Sequence, residues 1–346
     1  MKTDKTIIIL FLLLLQSAIS QAQSLTGIVC DKRTNHPIPG VIVYFHETTI
    51  HAVTDAQGRY EIKLKEMISA SLVFQHVSYE TYIFNDVAAT LPDTVFLAEK
   101  VNQMEDIVIR PSSVPRKKML NAFRTHFLGS SRVAKKCRIT NEDDIYFMYD
   151  EDQKLFTAYA DKPLIIVNPL LGYEISYELA HFAAKYSDTP FVERDVRLSM
   201  VGNPLFRDIS APGDESIKRR RKSAYNNSLR QFFRAVYHAD FSGTPYRFCN
   251  NPFYANMRPI ERIVDLGFRL ENDSSGLKKL IINTGRAGGN VYISYQSGLY
   301  SKLTLVDKTY LIDSYGNQNN SFNIFVSGEM GKKRTGDKLP ADYLPE

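Results

Sequence analysis

The 346-residue sequence has no tryptophan and only three cysteines, Cys30, Cys137 and Cys249. Three thiols cannot build the disulfide framework of a small secreted scaffold, and none sits at the spacing of a zinc or haem motif. A single bridge between Cys137 and Cys249 stays open as an alternative to three free thiols. No apolar run reaches the roughly 20 residues that a membrane-spanning helix needs. The run Ile7 to Leu15 is nine residues long. Neither sign of charge dominates: 43 Lys and Arg stand against 38 Asp and Glu, a net charge of +5. So mild a balance argues against an obligate nucleic-acid partner.

Catalytic motifs are missing as well. His46-Glu47-Thr48-Thr49-Ile50-His51 looks superficially like a zinc-protease helix, but that motif places its second His four residues on so that both rings share a face. Here the second His comes five residues on, in a predicted hairpin. No His-x-x-Glu pair and no Gly-x-Ser-x-Gly nucleophile elbow occurs. Gly285-Arg286-Ala287-Gly288-Gly289 lacks the Lys-Ser/Thr of a phosphate loop and reads as a turn. The sequence therefore assigns no catalytic, cofactor-binding or metal-ligating residue and argues against an enzyme. The alternative is a hydrolase with an unrecognised site, using Glu174 or Glu178 with Tyr177.

What is present begins with a leader. Lys2 and Lys5 precede the apolar run, and small residues follow at Ala18, Ser20 and Ala22. This is the pattern of a secretory signal peptide over 1–22, cleaved after Ala22 or, alternatively, after Ser20. The first cysteine beyond it is Cys30, so no lipid anchor is expected, and the mature chain has no expected transmembrane span.

Leu25 to Leu64 carries the clearest fold signal. Val41, Val43 and Phe45 alternate along one strand, with Ile42, Tyr44 and His46 on its other face, and Tyr60, Ile62 and Leu64 alternate along another. Asp55-Ala56-Gln57-Gly58 between them is a turn in which Asp can accept from its own downstream backbone and Gly supplies positive φ. Runs at Ser71 to Val77, Thr81 to Asn85 and Thr94 to Ala98 bring the expected total to about seven short strands. Gly27-x-Val29-x-Asp31, Pro37-Ile38-x-Gly40-Val41-x-Val43 and Thr54-Asp55-x-x-Gly58-x-Tyr60-x-Ile62 resemble the carboxypeptidase-regulatory-like domain, a transthyretin-like β-sandwich. The resemblance covers residues 24–98 and makes Gly27, Asp31, Pro37, Gly40, Asp55 and Gly58 the fold-defining positions. It implies an accessory module, found beside peptidases, receptors and surface proteins, and no peptidase activity.

Residues 99–118 read as a strand and a Pro/Ser linker. Met104-Glu105-Asp106-Ile107-Val108-Ile109 is similar to the segment after the same sandwich in TonB-dependent receptors. The residues that follow are too few for their plug and barrel.

The remainder, 119–346, is predicted to be an α+β domain, so the fold class expected of the whole is mixed: an N-terminal seven-stranded antiparallel β-sandwich followed by an α+β domain. Met119, Leu120, Phe123, Phe127 and Leu128 recur at helical spacing before Gly129. Strands are expected at Cys137 to Asn141, Asp144 to Tyr149, Lys154 to Ala160, Leu164 to Val167, Tyr173 to Phe182, Lys279 to Asn283, Asn290 to Tyr295, Lys302 to Asp307, Thr309 to Ser314 and Phe322 to Ser327. Ser216 to His238 is the longest predicted helix. Its run Lys218, Arg219, Arg220, Arg221 and Lys222 either touches an anionic surface such as lipid or phosphate headgroups, or forms a solvated face with structural ion pairs. The closing Leu339-Pro340-Ala341-Asp342-Tyr343, with its aromatic and prolines, has the means to pack down.

Phe127-Leu128-Gly129, Leu171-Gly172-Tyr173-x-Ile175-x-Tyr177-x-Leu179-x-x-Phe182, Arg221-x-x-Ala224-Tyr225-x-x-Ser228-x-x-x-Phe232-x-Arg234-Ala235 and the closing Leu-Pro-x-Asp-Tyr resemble exported Bacteroidota proteins that carry this module at their N-terminus. Where those proteins often have Gly before the helix Ser, this chain has Asn227. The resemblance implies export and brings no activity with it. The expectation is a non-catalytic cell-envelope protein, periplasmic or associated with the outer membrane, whose partner is an envelope protein or a glycan. Glycan binding calls for exposed aromatic platforms, which without Trp fall to the 20 Tyr and 20 Phe. A protein partner calls for a contiguous apolar patch of several hundred Å².

Overall fold

A computed structural model describes residues 23–64, 68–85, 91–100, 114–187, 189–192, 196–249, 257–273, 276–283, 289–295, 299–319 and 323–345. The predicted leader, most of the predicted connection at 99–118 and Gly285 to Gly288 lie outside them.

Among the described residues seven strands come first: β1 (Gln23–Asp31), β2 (Ile42–Phe45), β3 (His51–Val53), β4 (Arg59–Leu64), β5 (Leu72–His76), β6 (Tyr79–Phe84) and β7 (Thr94–Leu97). They form two sheets, ordered β4-β1-β7 and β3-β2-β5-β6. Val29, Tyr60, Ile62 and Leu97 from the first sheet share one core with Val43, Phe45, Leu72 and Phe74 from the second. The two-residue period decides which side chains enter that core: along β4, Tyr60, Ile62 and Leu64 are buried while Arg59, Glu61 and Lys63 are exposed. The arrangement is not wholly antiparallel, as the sequence reading expected. β7 runs parallel to β1, pairing Val95 with Val29, because the chain crosses from β6 in one sheet to β7 in the other before returning beside β1.

The expected turns have the expected chemistry. Asp55 Oδ1 accepts from the amides of Gln57 and Arg59, both at 2.9 Å, and Gly58 closes the turn at φ +70°. Thr54 is buried and ties the Pro37 to Gly40 turn to β3, donating to Ile38 O at 2.7 Å and accepting from Val41 N at 2.9 Å. Asp31 accepts from the Arg33 and Thr34 amides at 2.8 and 2.7 Å and from Tyr79 Oη at 3.0 Å. Those bonds, led by Thr34, outweigh burial and lower its pKa to about 2.

The second core is built on a six-stranded sheet. Helix α1 (Arg116–Leu128) precedes β8 (Arg138–Ile139), β9 (Ile145–Asp150), β10 (Leu155–Ala160), β11 (Leu164–Asn168), β12 (Tyr173–Tyr186) and β13 (Val196–Asp208). The sheet order is β8-β11-β12-β10-β9, with β13 also paired to β12 as a long antiparallel ribbon. α1 ends at Gly129, φ +105°, as its sequence predicts. It lays Phe123 and Phe127 on the sheet, where they meet Phe182 at 4.8 Å and Tyr177 at 4.9 Å between ring centroids.

The third core follows helices α2 (Glu215–Tyr225) and α3 (Leu229–His238). β14 (Arg247–Cys249), β15 (Arg258–Pro259), β18 (Asn290–Ser294), β19 (Tyr300–Leu305) and β21 (Ile324–Gly328) form a five-stranded sheet, ordered β15-β14-β18-β19-β21. β16 (Phe268–Asn272), β17 (Lys278–Ile282) and β20 (Thr309–Ile312) form a three-stranded one. Phe232, Phe233 and Val236 of α3 fill the space between them. The region read as one α+β domain is thus mostly β and holds two hydrophobic cores.

The single helix predicted from Ser216 to His238 is two. Asn227 takes φ +54°, and Ser228 Oγ accepts from Gln231 N at 3.1 Å, which starts α3 afresh. Asn tolerates the left-handed region and Ser is a strong N-cap, so both signals for the break were present beneath an apolar stripe that ran through it.

Candidate functional site

The first module is fastened to the rest of the molecule by the turn between β2 and β3. Glu47, at φ +62°, aims its two backbone groups at different neighbours. Its N–H donates to Pro204 O on β13 at 2.9 Å, and its C=O accepts from Ala341 N in the closing segment at 2.6 Å. Phe206 N donates to Thr48 O at 2.9 Å. The turn therefore acts as a backbone peg between the outer edge of β13 and the C-terminal tail. β13 can carry Pro204 because it is an edge strand of its sheet, and the peg covers part of that edge.

Side chains complete the junction. Thr49 bonds Asp342 twice, N to Oδ1 at 2.9 Å and Oγ1 to Oδ2 at 2.5 Å. His46 Nε2 donates to Gly202 O at 3.0 Å, and Tyr44 Oη donates to Asn203 O at 3.2 Å. Farther along the module, Thr81 Oγ1 donates to Glu178 Oε1 at 2.5 Å and Ser69 N to Asp313 Oδ2 at 2.8 Å. Covering the outer face of β3-β2-β5-β6 in this way explains why Tyr44 and Val73 are fully buried although they point away from the module's own core. Burial pushes the Tyr44 hydroxyl well above the usual tyrosine range.

Beside the peg lies a cavity of about 960 Å³, bounded by the module, the β12–β13 ribbon, α3 and the tail. Its charged lining includes Glu47, Arg230, Lys333, Arg334, Asp337 and Lys338. Glu47, about a quarter exposed, pairs with Lys338 and sits 4.0 Å from Arg230. Burial raises its pKa, but Lys338, His46 and Arg230 outweigh that and bring it to about 2. Arg230 donates to Leu339 O at 3.0 Å, Pro340 O at 2.6 Å and Asn317 Oδ1 at 3.1 Å. Lys333 donates to Ala224 O and Asn226 O at 2.6 and 2.7 Å, at the C-terminal end of α2, and its burial lowers its pKa to about 8. Burial raises the pKa of Asp337, which accepts from Ser131 Oγ at 2.6 Å. These cations are directed at backbone carbonyls and at Glu47, so they hold the tail, α2 and the module together.

The residues singled out in the sequence do not converge here. Glu174 and Glu178 lie on one face of β12 and Tyr177 on the other; Glu174 pairs with Arg207 at 2.6 Å, while Tyr177 is buried against Phe127. Neither carboxylate lines the cavity. The basic run on α2 divides. Arg221 points inward, 4.0 Å above the Tyr173 ring, donating to Leu171 O at 2.7 Å and to both Asp208 oxygens at 2.9 Å. Arg220 reaches Leu170 O at 2.6 Å, and Lys218 pairs with Glu215 at 3.3 Å. Arg221 is thus a core residue, while Arg219 and Lys222 lie on the solvent side. All three cysteines are unpaired; Cys137 is buried, and burial raises its thiol pKa to about 12.

Sequence reasoning missed the peg. The His46 to His51 segment drew attention for a zinc motif it lacks, whereas its role lies in backbone groups whose partners are more than 150 residues away. Among the described residues no three His, Cys, Asp or Glu side chains gather as a metal-holding group.

Residues 25–109 match the family model described as CarboxypepD_reg-like domain. The match bears out the resemblance seen in the strands and turns of the module and runs past its expected end at Ala98. No curated protein matches the chain.

Proposed function

We propose that this chain is an exported, non-catalytic protein of the cell envelope that binds an envelope protein or a glycan, in the periplasm or at the outer membrane of a Gram-negative cell of the Bacteroidota type. Residues 1–22 serve as the leader, 24–98 as a seven-stranded sandwich with one parallel pair, 99–118 as the connection and 119–346 as the partner-binding region. One observation supports the non-catalytic part above all: around the junction cavity Lys338 pairs with Glu47 of the module, Arg230 holds the closing segment and Lys333 holds the end of α2, so all three cations are taken up in structural contacts. The accessory character of the matched family and the leader-like start support the rest.

The test is fractionation and cross-linking of cells producing the chain with a tag at Glu346. The expected product lacks residues 1–22, fractionates with the envelope and cross-links to a specific envelope component. Uncleaved chain in the cytosolic fraction would overturn the proposal.

A further inference from the structure

The five-stranded sheet has one face buried against α3 and the three-stranded sheet, through Val291, Ile293, Leu303 and Leu305. The opposite face is different in kind. Tyr300 and Phe325 stand out from it with 56% and 62% of their surface exposed. Between them lie Tyr292 and Lys302, cross-strand partners whose ammonium and ring centroid are 5.8 Å apart. Phe325 is paired with Thr304, four residues along β19 from Tyr300, so the outer rings are separated by about 13 Å along the strand. Arg247 adds a second cation on β14, and none of the outward positions on β14, β18, β19 and β21 is acidic.

We infer that this face binds an acidic oligosaccharide. The inference rests on the proposed partner-binding role and names the partner's class. Charge is one ground: two cations, with no carboxylate at the described outward positions of these strands, complement an anionic chain. Composition is the other. Lys302, Thr304 and Ser327 separate the aromatic rings, so among the described residues of this face the apolar surface is not contiguous in the way that marks a protein interface, and Lys and Ser are depleted at the cores of such interfaces. Rings on a flat face, with hydroxyl and ammonium groups between them, suit a ligand made of alternating apolar faces and polar rims. The separation of Tyr300 and Phe325 calls for an oligomer.

The test is titration of the mature chain with oligogalacturonate, with a neutral oligoglucan of equal length and with single-stranded DNA. Oligogalacturonate is expected to bind at least about tenfold more tightly than the other two. Y300A and F325A should each weaken it several-fold with the unfolding midpoint unchanged, since both side chains are exposed. K302Q should remove the preference for the acidic sugar. Absence of oligogalacturonate binding, indifference to Y300A and F325A, or a preference for DNA would each overturn the inference. Should the sugar fail while envelope cross-linking captures a protein, the proposed function stands and this assignment falls.

Discussion

Glu47 ties the module down with its backbone and its carboxylate at once, and its ionisation is therefore linked to stability. Its pKa in the folded chain, about 2, lies below the ordinary 4.5. A depressed carboxylate stabilises the folded state above the ordinary pKa, and that contribution is lost as pH falls from about 4.5 toward 2. The amount is on the order of 3 kcal/mol. Glu47→Gln should lower stability near neutral pH and flatten the acid limb of a urea-unfolding series, leaving stability at about pH 2 nearly unchanged. Gly58 is the second sensitive position. Its φ is +70°, and an added Cβ would lie 2.5 Å from Val29 O. Gly58→Ala is expected to cost roughly 2 kcal/mol or more, read from the urea midpoint. The role of Gly58 was legible because turn chemistry is local. That of Glu47 was not, since its partners Pro204, Arg230, Lys338 and Ala341 are brought to it only by the fold.

Elements were legible where period and punctuation agree. β4 and α1 follow their side-chain alternation or spacing almost to the residue, while β12 starts at Tyr173 as expected but runs past its expected end at Phe182 to Tyr186. β13 was missed because Gly202 and Pro204 interrupt it, and both are accommodated only at the edge where the module docks. The α2–α3 break was masked by apolar residues at helical spacing on both sides. Asn227 is the point to test: at φ +54° a β-branched residue is strained and Gly is not. Asn227→Val should lower the thermal midpoint, at a cost of about 1–3 kcal/mol, whereas Asn227→Gly should leave it within about 1 kcal/mol of the parent or slightly raise it. Arg221 shows the limit of reading charge along a helix. A run of five cations looks like a solvated face, yet Ile217, Arg221 and Tyr225 form the buried stripe of α2, and Arg221 is accepted there because Tyr173, Asp208 and two carbonyls receive it.

At the scale of the molecule, three hydrophobic cores meet at one junction. The module's outer sheet face lies on the β12–β13 ribbon, its β2–β3 turn is held between β13 and the tail, and Ser69 reaches Asp313 beside β20. Asp313 is fully buried and accepts from Ser69 N, Tyr315 N and both nitrogens of Asn317. Its replacement by Ala would strand several buried donors. Asp313→Ala should therefore cost about 3 kcal/mol or more, enough to show as a large loss of soluble, folded protein. Nothing in the linear sequence announces such a junction, because each core is signalled by its own periodicity while the contacts between cores are made by scattered polar residues.

The regulatory-like module is a fixed part of this protein, pegged by Glu47 and Thr49 to β13 and the closing segment. The most direct measurement is amide hydrogen exchange at Glu47 and Thr49 in the full chain and in the Asp342→Ala variant, with the buried β5 amides as an internal reference. Strong protection at Glu47 and Thr49 in the parent, falling sharply in the variant while β5 stays protected, is the expected result. Fast exchange of both amides in the parent, indifferent to Asp342→Ala, would contradict it.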